Sequence, residues 1–388
     1  MALPNVYTDA ELQMLADWSR AIDAVPGWLD RDARVGKPYP FVHLEATKET
    51  LTASAVGNDY WNPLWRDEEY AKYTRWGGII ANPFYTVYIH FSVPWPQLNV
   101  PEDIGFKAGR VWWEDNRFYH PVRVGDSFKI WGMRPELKDA TDSDGSGPRI
   151  FRLTNGVKMI SQRDEVVATR SRTMLITILP EREKWQPPVV APLYRYTKED
   201  LEAIRRLEDE ETIRGAKPRY WEDVTVGDDV VPTVTGPITA WDSVVMIAAV
   251  GCTTIPMREV RRQTPDAIIV DPETGVSHKE IEIHLSEKVA RMVTGQPISA
   301  GFEVMMTRAV TNWMGDDAFF RKLTFRMYGV MELGNTVFAQ ARVTKKYVED
   351  GENLVDLVVW LETIKGFVAA AGVATGRLIS REELEIRL

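Results

Sequence analysis

The feature that most constrains the fold is that the two halves of this 388-residue chain repeat one order of predicted elements. A proline-rich stretch, 185–196, is followed by a highly charged predicted helix, 198–214, and together they indicate a linker. In each half a helical segment, 83–93 or 301–313, precedes several long alternating strands separated by polar turns. This order predicts an α+β architecture in which an antiparallel sheet wraps around one helix, and this unit occurs twice.

The repeat also indicates an insertion. The range 57–71 covers 15 positions, whereas its counterpart 251–290 covers 40, so the second half is longer by 25 positions within 252–279. The insertion contains a basic run and a predicted turn. We therefore predict a first domain at 1–180, a linker at 181–217 and a second domain at 218–388.

Charge and composition exclude several classes of function. The net charge of −9 and the pI near 5.3 argue against broad binding to nucleic acids or anionic membranes. No stretch reaches the roughly 20 apolar residues of a membrane helix, and the acidic first 30 positions lack the apolar core of a signal peptide. The single cysteine, Cys252, excludes an intrachain disulfide and a Cys-rich zinc site. We therefore expect a cytoplasmic protein without a bound metal.

Several segments resemble a known family. In the first half these are 55–71 (AVGNDYWNPLWRDEEYA) and 75–83 (RWGGIIANP). They are similar to the hydratase motif of the MaoC-like hydratases, double hot-dog enzymes that add or remove water on acyl-CoA thioesters. Similar segments follow in the same order in the second half, at 221–228, 236–239, 283–290 and 300–302. The resemblance implies a double hot-dog, with a FAS1-type dehydratase-like first domain and a MaoC-like second domain, each an antiparallel sheet around a central helix.

The resemblance also implies a catalytic arrangement. In this family an Asp activates water, a His five residues later exchanges the second proton, and a backbone N–H at the start of the central helix stabilises the oxyanion. His284 matches that histidine, and Gly301 matches the residue at the helix start. Lys279 stands where the Asp is expected, so we name Glu280 as the carboxylate. Two nearby alternatives remain open, Glu282 and Asp271.

The first half departs from the family pattern because Trp65 occupies the histidine position. An indole cannot shuttle a proton, so we expect this half to bind substrate rather than to catalyse. Asp59 and Trp65 are assigned to substrate binding on this ground. The alternatives are that Asp59 caps local amides in a turn and that the tryptophan belongs to the core.

The insertion supplies the remaining candidates for substrate binding. Arg258, Arg261 and Arg262 could clamp a phosphate of CoA, because arginine forks suit phosphate groups. The alternative is that this charge run is a solvated face.

The resemblance favours hydration of an enoyl-CoA or dehydration of a 3-hydroxyacyl-CoA, in the breakdown of fatty acids or of aromatic or steroid compounds. CoA enters only as part of the substrate, and we expect a homodimer or higher oligomer. Two alternatives remain open. The missing Asp favours a non-catalytic acyl-CoA-binding subunit of a hetero-oligomeric hydratase, and the same fold could also serve another thioester or lyase reaction.

Overall fold

The computed structural model describes most of the chain. The described residues are 6–25, 27–29, 44–86, 96, 98–143, 147–179, 194–249, 256–263, 268–294, 301–329 and 331–385. Cys252 and the greater part of the proline-rich stretch lie outside them. No helix among these residues is both long and apolar enough to cross a membrane.

The first half places three helices around four long strands. Helix α1 (Asp9–Asp23) begins after Thr8, because the Thr8 side chain accepts from the backbone N–H of Glu11 and the Glu11 carboxylate accepts from that of Thr8. A similar reciprocal cap at Thr47 begins α2. The elements are α1 (Asp9–Asp23), β1 (Trp28–Leu29), α2 (Lys48–Asn58), α3 (Glu68–Ala71), β2 (Phe106–Phe118), β3 (Phe128–Asp139), β4 (Arg149–Ser161) and β5 (Val166–Leu179).

The second half repeats this order and adds elements within the predicted insertion. A short helix (Met257–Gln263) and a two-stranded hairpin (Ile268–Val270 and Ser277–Lys279) lie between the helix Ala240–Ala249 and the 3₁₀ turn that begins at Glu280. The elements are α4 (Lys198–Glu210), β6 (Thr233–Thr235), α5 (Ala240–Ala249), α6 (Met257–Gln263), β7 (Ile268–Val270), β8 (Ser277–Lys279), α7 (Glu287–Thr294), α8 (Phe302–Met314), β9 (Phe319–Met327), β10 (Val337–Glu349), β11 (Glu352–Thr363), β12 (Val368–Arg377) and α9 (Arg381–Glu385).

The sheets of the two halves join edge to edge. Strand β2 pairs antiparallel with β9, from Trp113 opposite Arg326 to Arg117 opposite Lys322. This pairing produces one ten-stranded antiparallel sheet in the order β1-β3-β4-β5-β2-β9-β12-β11-β10-β6. The predicted α+β class is confirmed, and the two predicted sheets are continuous with each other.

Helix α8 is the buried centre of the second half. Every residue in it except Arg308 is buried, and it packs on β6 and on β9 to β12. The predicted helix 301–313 is therefore confirmed, with Gly301 as its N-cap. The predicted first-half counterpart, 83–93, extends past residue 86 into a part of the chain that is not described.

Helices α2 and α5 cross at very close range and contribute one contact between the halves. A Cβ atom added to Gly57 would lie 2.1 Å from the Cβ of Ala249 and 2.9 Å from the carbonyl oxygen of Val245. Only glycine therefore fits at this crossing without movement of one helix.

We expect Gly57→Ala to lower the free energy of unfolding by about 1–2 kcal/mol, because overpacking outweighs the better helix propensity of alanine. Urea unfolding measures this change. Gly78→Ala is the matched control, since a Cβ at Gly78 would meet no atom within 4 Å. Equal stability of the two variants would show that the helices can separate freely.

Candidate active site

His284 and Trp65 occupy corresponding places in the two halves. His284 ends the 3₁₀ turn Glu280–His284, and α7 begins three residues later. Trp65 ends the 3₁₀ turn Pro63–Trp65, and α3 also begins three residues later. The structure thus aligns the half-buried histidine of one half with the tryptophan of the other.

Two of the three carboxylates proposed to assist His284 have other partners. Glu282 Oε2 lies 2.8 Å from Nδ1 of His278. Asp271 Oδ2 lies 2.6 Å from Nζ of Lys288. This hydrogen-bonded ion pair, with further bonds to the turn that follows, holds the pKa of Asp271 far below its usual value. Glu280 begins the same 3₁₀ turn as His284, but its side chain lies outside the described part of the structure, so its role stays a prediction.

Gly301 is required by the backbone at the start of α8. Its φ is +102°, and a Cβ there would lie 2.8 Å from Sδ of Met246. The first N–H groups of a helix have no partner within the helix and carry partial positive charge. The start of α8 can therefore donate hydrogen bonds to a developing negative charge, the role expected for Gly301.

A buried group of four charges, the charge cluster, ties this helix start to the first half. It consists of Glu114 on β2, Arg170 and Arg172 on β5, and Glu303 on α8. Arg170 contacts both carboxylates, at 2.7 Å from Glu303 Oε1, and Arg172 lies 2.5 Å from Glu114 Oε1. Burial alone would raise the pKa of Glu303, but the two arginines outweigh it and hold that pKa below the usual value. Burial raises the pKa of Glu114, although both arginines oppose this effect. With all four groups ionised, the two arginines balance the two carboxylates.

The three arginines of the insertion lie on one short helix, α6. Arg258, Arg261 and Arg262 are all exposed, and Arg262 lies 3.6 Å from Glu259 one turn away. None of them lines either pocket described below. This arrangement fits the alternative of a solvated face, and the phosphate clamp stays a prediction.

Two adjoining pockets lie between the first-half motif and α8. The outer pocket contains about 580 Å³, including its opening to solvent, and the inner recess about 200 Å³. They share a wall formed by Asn82, Pro83 and Thr311. The apolar lining of the outer pocket includes Leu64, Trp65, Phe118, Met314, Phe319 and Phe320.

Asp59 and Trp65 are joined across these pockets. Nε1 of Trp65 donates a hydrogen bond to Oδ2 of Asp59 at 2.8 Å. Asp59 lines the inner recess and is only 7% exposed. Burial raises its pKa to about 6, against the opposing effects of the Trp65 bond and the charge of Arg308. Asp59 therefore accepts from a buried indole, and the alternative that it caps amides in a turn is wrong.

The raised pKa predicts an unusual pH dependence for Asp59→Asn. The folded state holds the Asp59 proton more tightly than the unfolded state, so this group contributes stability below about pH 4 that is lost as the pH rises through about 6. The variant should therefore be more stable than the unmodified protein by about 1–3 kcal/mol at about pH 7, and the gain should vanish near pH 4. Urea unfolding across this range, with the exposed Asp209→Asn as control, measures the difference. A pH-independent difference contradicts the assignment.

Sequence reasoning missed the charge cluster and the inner recess. One signal was available, because Glu303 and Arg308 are the only charged residues in the otherwise buried α8. Within the described ranges, no three His, Cys, Asp or Glu side chains come together as they would around a metal ion.

One family model matches part of this chain. Residues 33–170 match the family model described as FAS1-like, dehydratase domain region. Among curated proteins, none matches the sequence of this chain.

Three solved structures cover nearly the whole chain. A MaoC-like dehydratase is 14% identical with a TM-score of 0.57, covering 92% of this chain and 99% of that one. A MaoC domain protein from Chloroflexus aurantiacus J-10-fl is 13% identical with a TM-score of 0.53, covering 89% and 94%. A conserved hypothetical protein from Mycobacterium tuberculosis with a double hotdog fold is 11% identical with a TM-score of 0.50, covering 88% and 96%. These similarities show that the chain has a double hot-dog fold, and its residues 33–170 are similar to a FAS1-like dehydratase domain region.

Proposed function

We propose that this protein is a hydro-lyase that adds water to an enoyl-CoA or removes it from a 3-hydroxyacyl-CoA. The observation that carries the proposal is the position of His284, which ends the 3₁₀ turn before α7 in a double hot-dog chain. The dehydratase description of the family model and of a similar solved structure supports the class of reaction.

The proposed chemistry needs two proton transfers and one stabilised anion. In the hydration direction, the oxygen of water bonds to the β-carbon as the α,β double bond becomes an enolate, and the α-carbon then takes up a proton. His284 exchanges one of the two protons and the carboxylate of Glu280 the other. The N–H of Gly301, at the start of α8, holds the thioester oxygen as negative charge develops. CoA takes part only as a component of the substrate.

We assign the chemistry to the second half. Trp65 offers a single N–H donor and no acceptor, and that donor is bonded to Asp59. Trp65 therefore cannot pass a proton from the position that corresponds to His284 in the second half. The cytoplasmic location, the homo-oligomeric state and a role in fatty acid, aromatic or steroid breakdown stay predictions from the sequence.

The proposal is tested by incubating the purified chain, alone, with enoyl-CoA thioesters of increasing length and bulk. We expect loss of the absorbance of the conjugated thioester and a product heavier by one water. Binding without turnover would support the non-catalytic subunit instead and contradict the proposal. Release of free CoA thiol without hydration would show thioester hydrolysis, which also contradicts it.

A further inference from the structure

We propose that the outer pocket and the inner recess together bind an apolar, ring-sized molecule that carries a hydroxyl group, with the hydroxyl beside Asp59. The site lies between the first-half motif and α8. It does not depend on the proposed hydro-lyase function, because it involves neither His284 nor Gly301.

The outer pocket suits an apolar body. Its walls bring together Trp65 and Phe118 from the first half with Phe319 and Phe320 from the second. The lining is mostly apolar with a few polar groups such as Asn62 and Asn82, as is typical of small-molecule sites. Because both halves supply the walls, the site exists only in the assembled double fold.

The inner recess requires a hydrogen-bond donor from its occupant. Oδ1 of Asp59 and Oδ1 of Asn58 are buried and have no hydrogen-bond partner among the described residues. Both residues line the recess and are less than a tenth exposed. Their other polar atoms are engaged, since Asn58 Nδ2 donates to the Ser54 carbonyl at 2.7 Å. A buried acceptor that receives no hydrogen bond lowers the stability of the folded protein. A ligand that donates a hydrogen bond to these oxygens therefore completes the recess.

The other polar groups of the recess favour a hydroxyl over an anion. The hydroxyls of Thr307 and Thr311 already donate to backbone carbonyls within α8, at 2.8 Å and 3.0 Å, so they can only accept from a ligand. Arg308 directs its guanidinium to the Val234 carbonyl and to Glu211. A carboxylate or phosphate would be repelled by these hydrogen-bond acceptors and by the negative charge of Asp59. A neutral hydroxyl can instead donate a hydrogen bond to Oδ1 of Asp59.

Trp65 connects the two compartments. Its ring lines the outer pocket, while its N–H fixes one carboxyl oxygen of Asp59 and leaves the other for the ligand. A residue that replaces the expected histidine of this half therefore has a recognition role.

The test compares two probes of the same shape, p-cresol and toluene, by isothermal titration calorimetry with the full chain. We expect p-cresol to bind about tenfold more tightly than toluene. In Asp59→Asn the preference for p-cresol over toluene should fall below about threefold. The reason is that the N–H₂ group of the new asparagine can take the place of the unpaired Oδ1 acceptor. Asp209→Asn, an exposed change, should keep the full preference. Equal affinities for the two probes, or a preference that Asp59→Asn leaves intact, overturns the proposal.

A second measurement locates the bound probe independently of affinity. The indole N–H signal of Trp65, assigned by its loss in Trp65→Phe, should shift when p-cresol is titrated into the unmodified protein. Binding that leaves this signal unmoved would place the probe elsewhere and contradict the site. Neither measurement contains an enoyl-CoA, so failure here leaves the hydro-lyase proposal untouched.

Discussion

Replacing His284 with alanine is expected to lower kcat for enoyl-CoA hydration by about 10²–10⁴-fold, because a positioned acid–base group contributes that much to proton transfer. The start of α8 remains in place in this variant, so KM should change much less than kcat. Initial rates with the best enoyl-CoA substrate measure both constants.

His278→Ala is the matched control for this prediction. His278 is six positions away on β8, and its Nδ1 is bonded to Glu282 rather than placed at the end of the 3₁₀ turn. The activity of the His278→Ala variant should stay close to that of the unmodified protein. A His284→Ala variant as active as His278→Ala would show that the imidazole takes no part in the reaction.

Replacing Arg170 with methionine is expected to lower the free energy of unfolding by about 3–5 kcal/mol. The change keeps most of the side-chain volume but leaves Glu114 and Glu303 with Arg172 alone, so the buried charge cluster acquires a net negative charge. Urea unfolding measures the loss. Arg117→Met, at an exposed pair with Asp115, should cost less than about 1 kcal/mol.

A double variant separates net charge from lost packing. Arg170→Met with Glu303→Gln restores neutrality, because one arginine then faces one glutamate. This double variant should be more stable than Arg170→Met alone. If the second change lowers stability further, net charge is not what destabilises the single variant.

The fold could be predicted where local signals decide it. The reciprocal cap between Thr8 and Glu11 is a capping-box pattern that the sequence shows directly, and α1 (Asp9–Asp23) begins at that cap. Gly301 marks the start of α8 for a similar reason, because a left-handed backbone position favours glycine. Both features depend on neighbouring residues alone.

Pairings between distant residues could not be predicted from the same patterns. The join between β2 and β9 brings Trp113 opposite Arg326, more than two hundred positions later, and nothing in either strand alone specifies its partner. The charge cluster depends on this join for the same reason. Its members come from β2, β5 and α8, and each one alone is simply a charged residue in a strand or helix.

The candidate site was predicted in part. The motif identifies His284 as a candidate, and the structure places this residue at the end of the 3₁₀ turn before α7. The role of Asp59 could not be predicted, because it depends on the hydrogen bond from the Trp65 indole to its carboxylate. A sequence pattern indicates the spacing of two residues but not such a bond. This contact shows that the alternative, in which Asp59 caps amides in a turn, is wrong.

The central claim is that one half of this chain moves protons to and from water through His284. The most direct measurement is mass spectrometry of the acyl product after incubation of an enoyl-CoA in water labelled with oxygen-18. The account predicts a labelled hydroxyl in the product from the unmodified protein and from His278→Ala, and almost none from His284→Ala over the same time. Equal labelling by all three proteins, or no labelling by any of them, would contradict it.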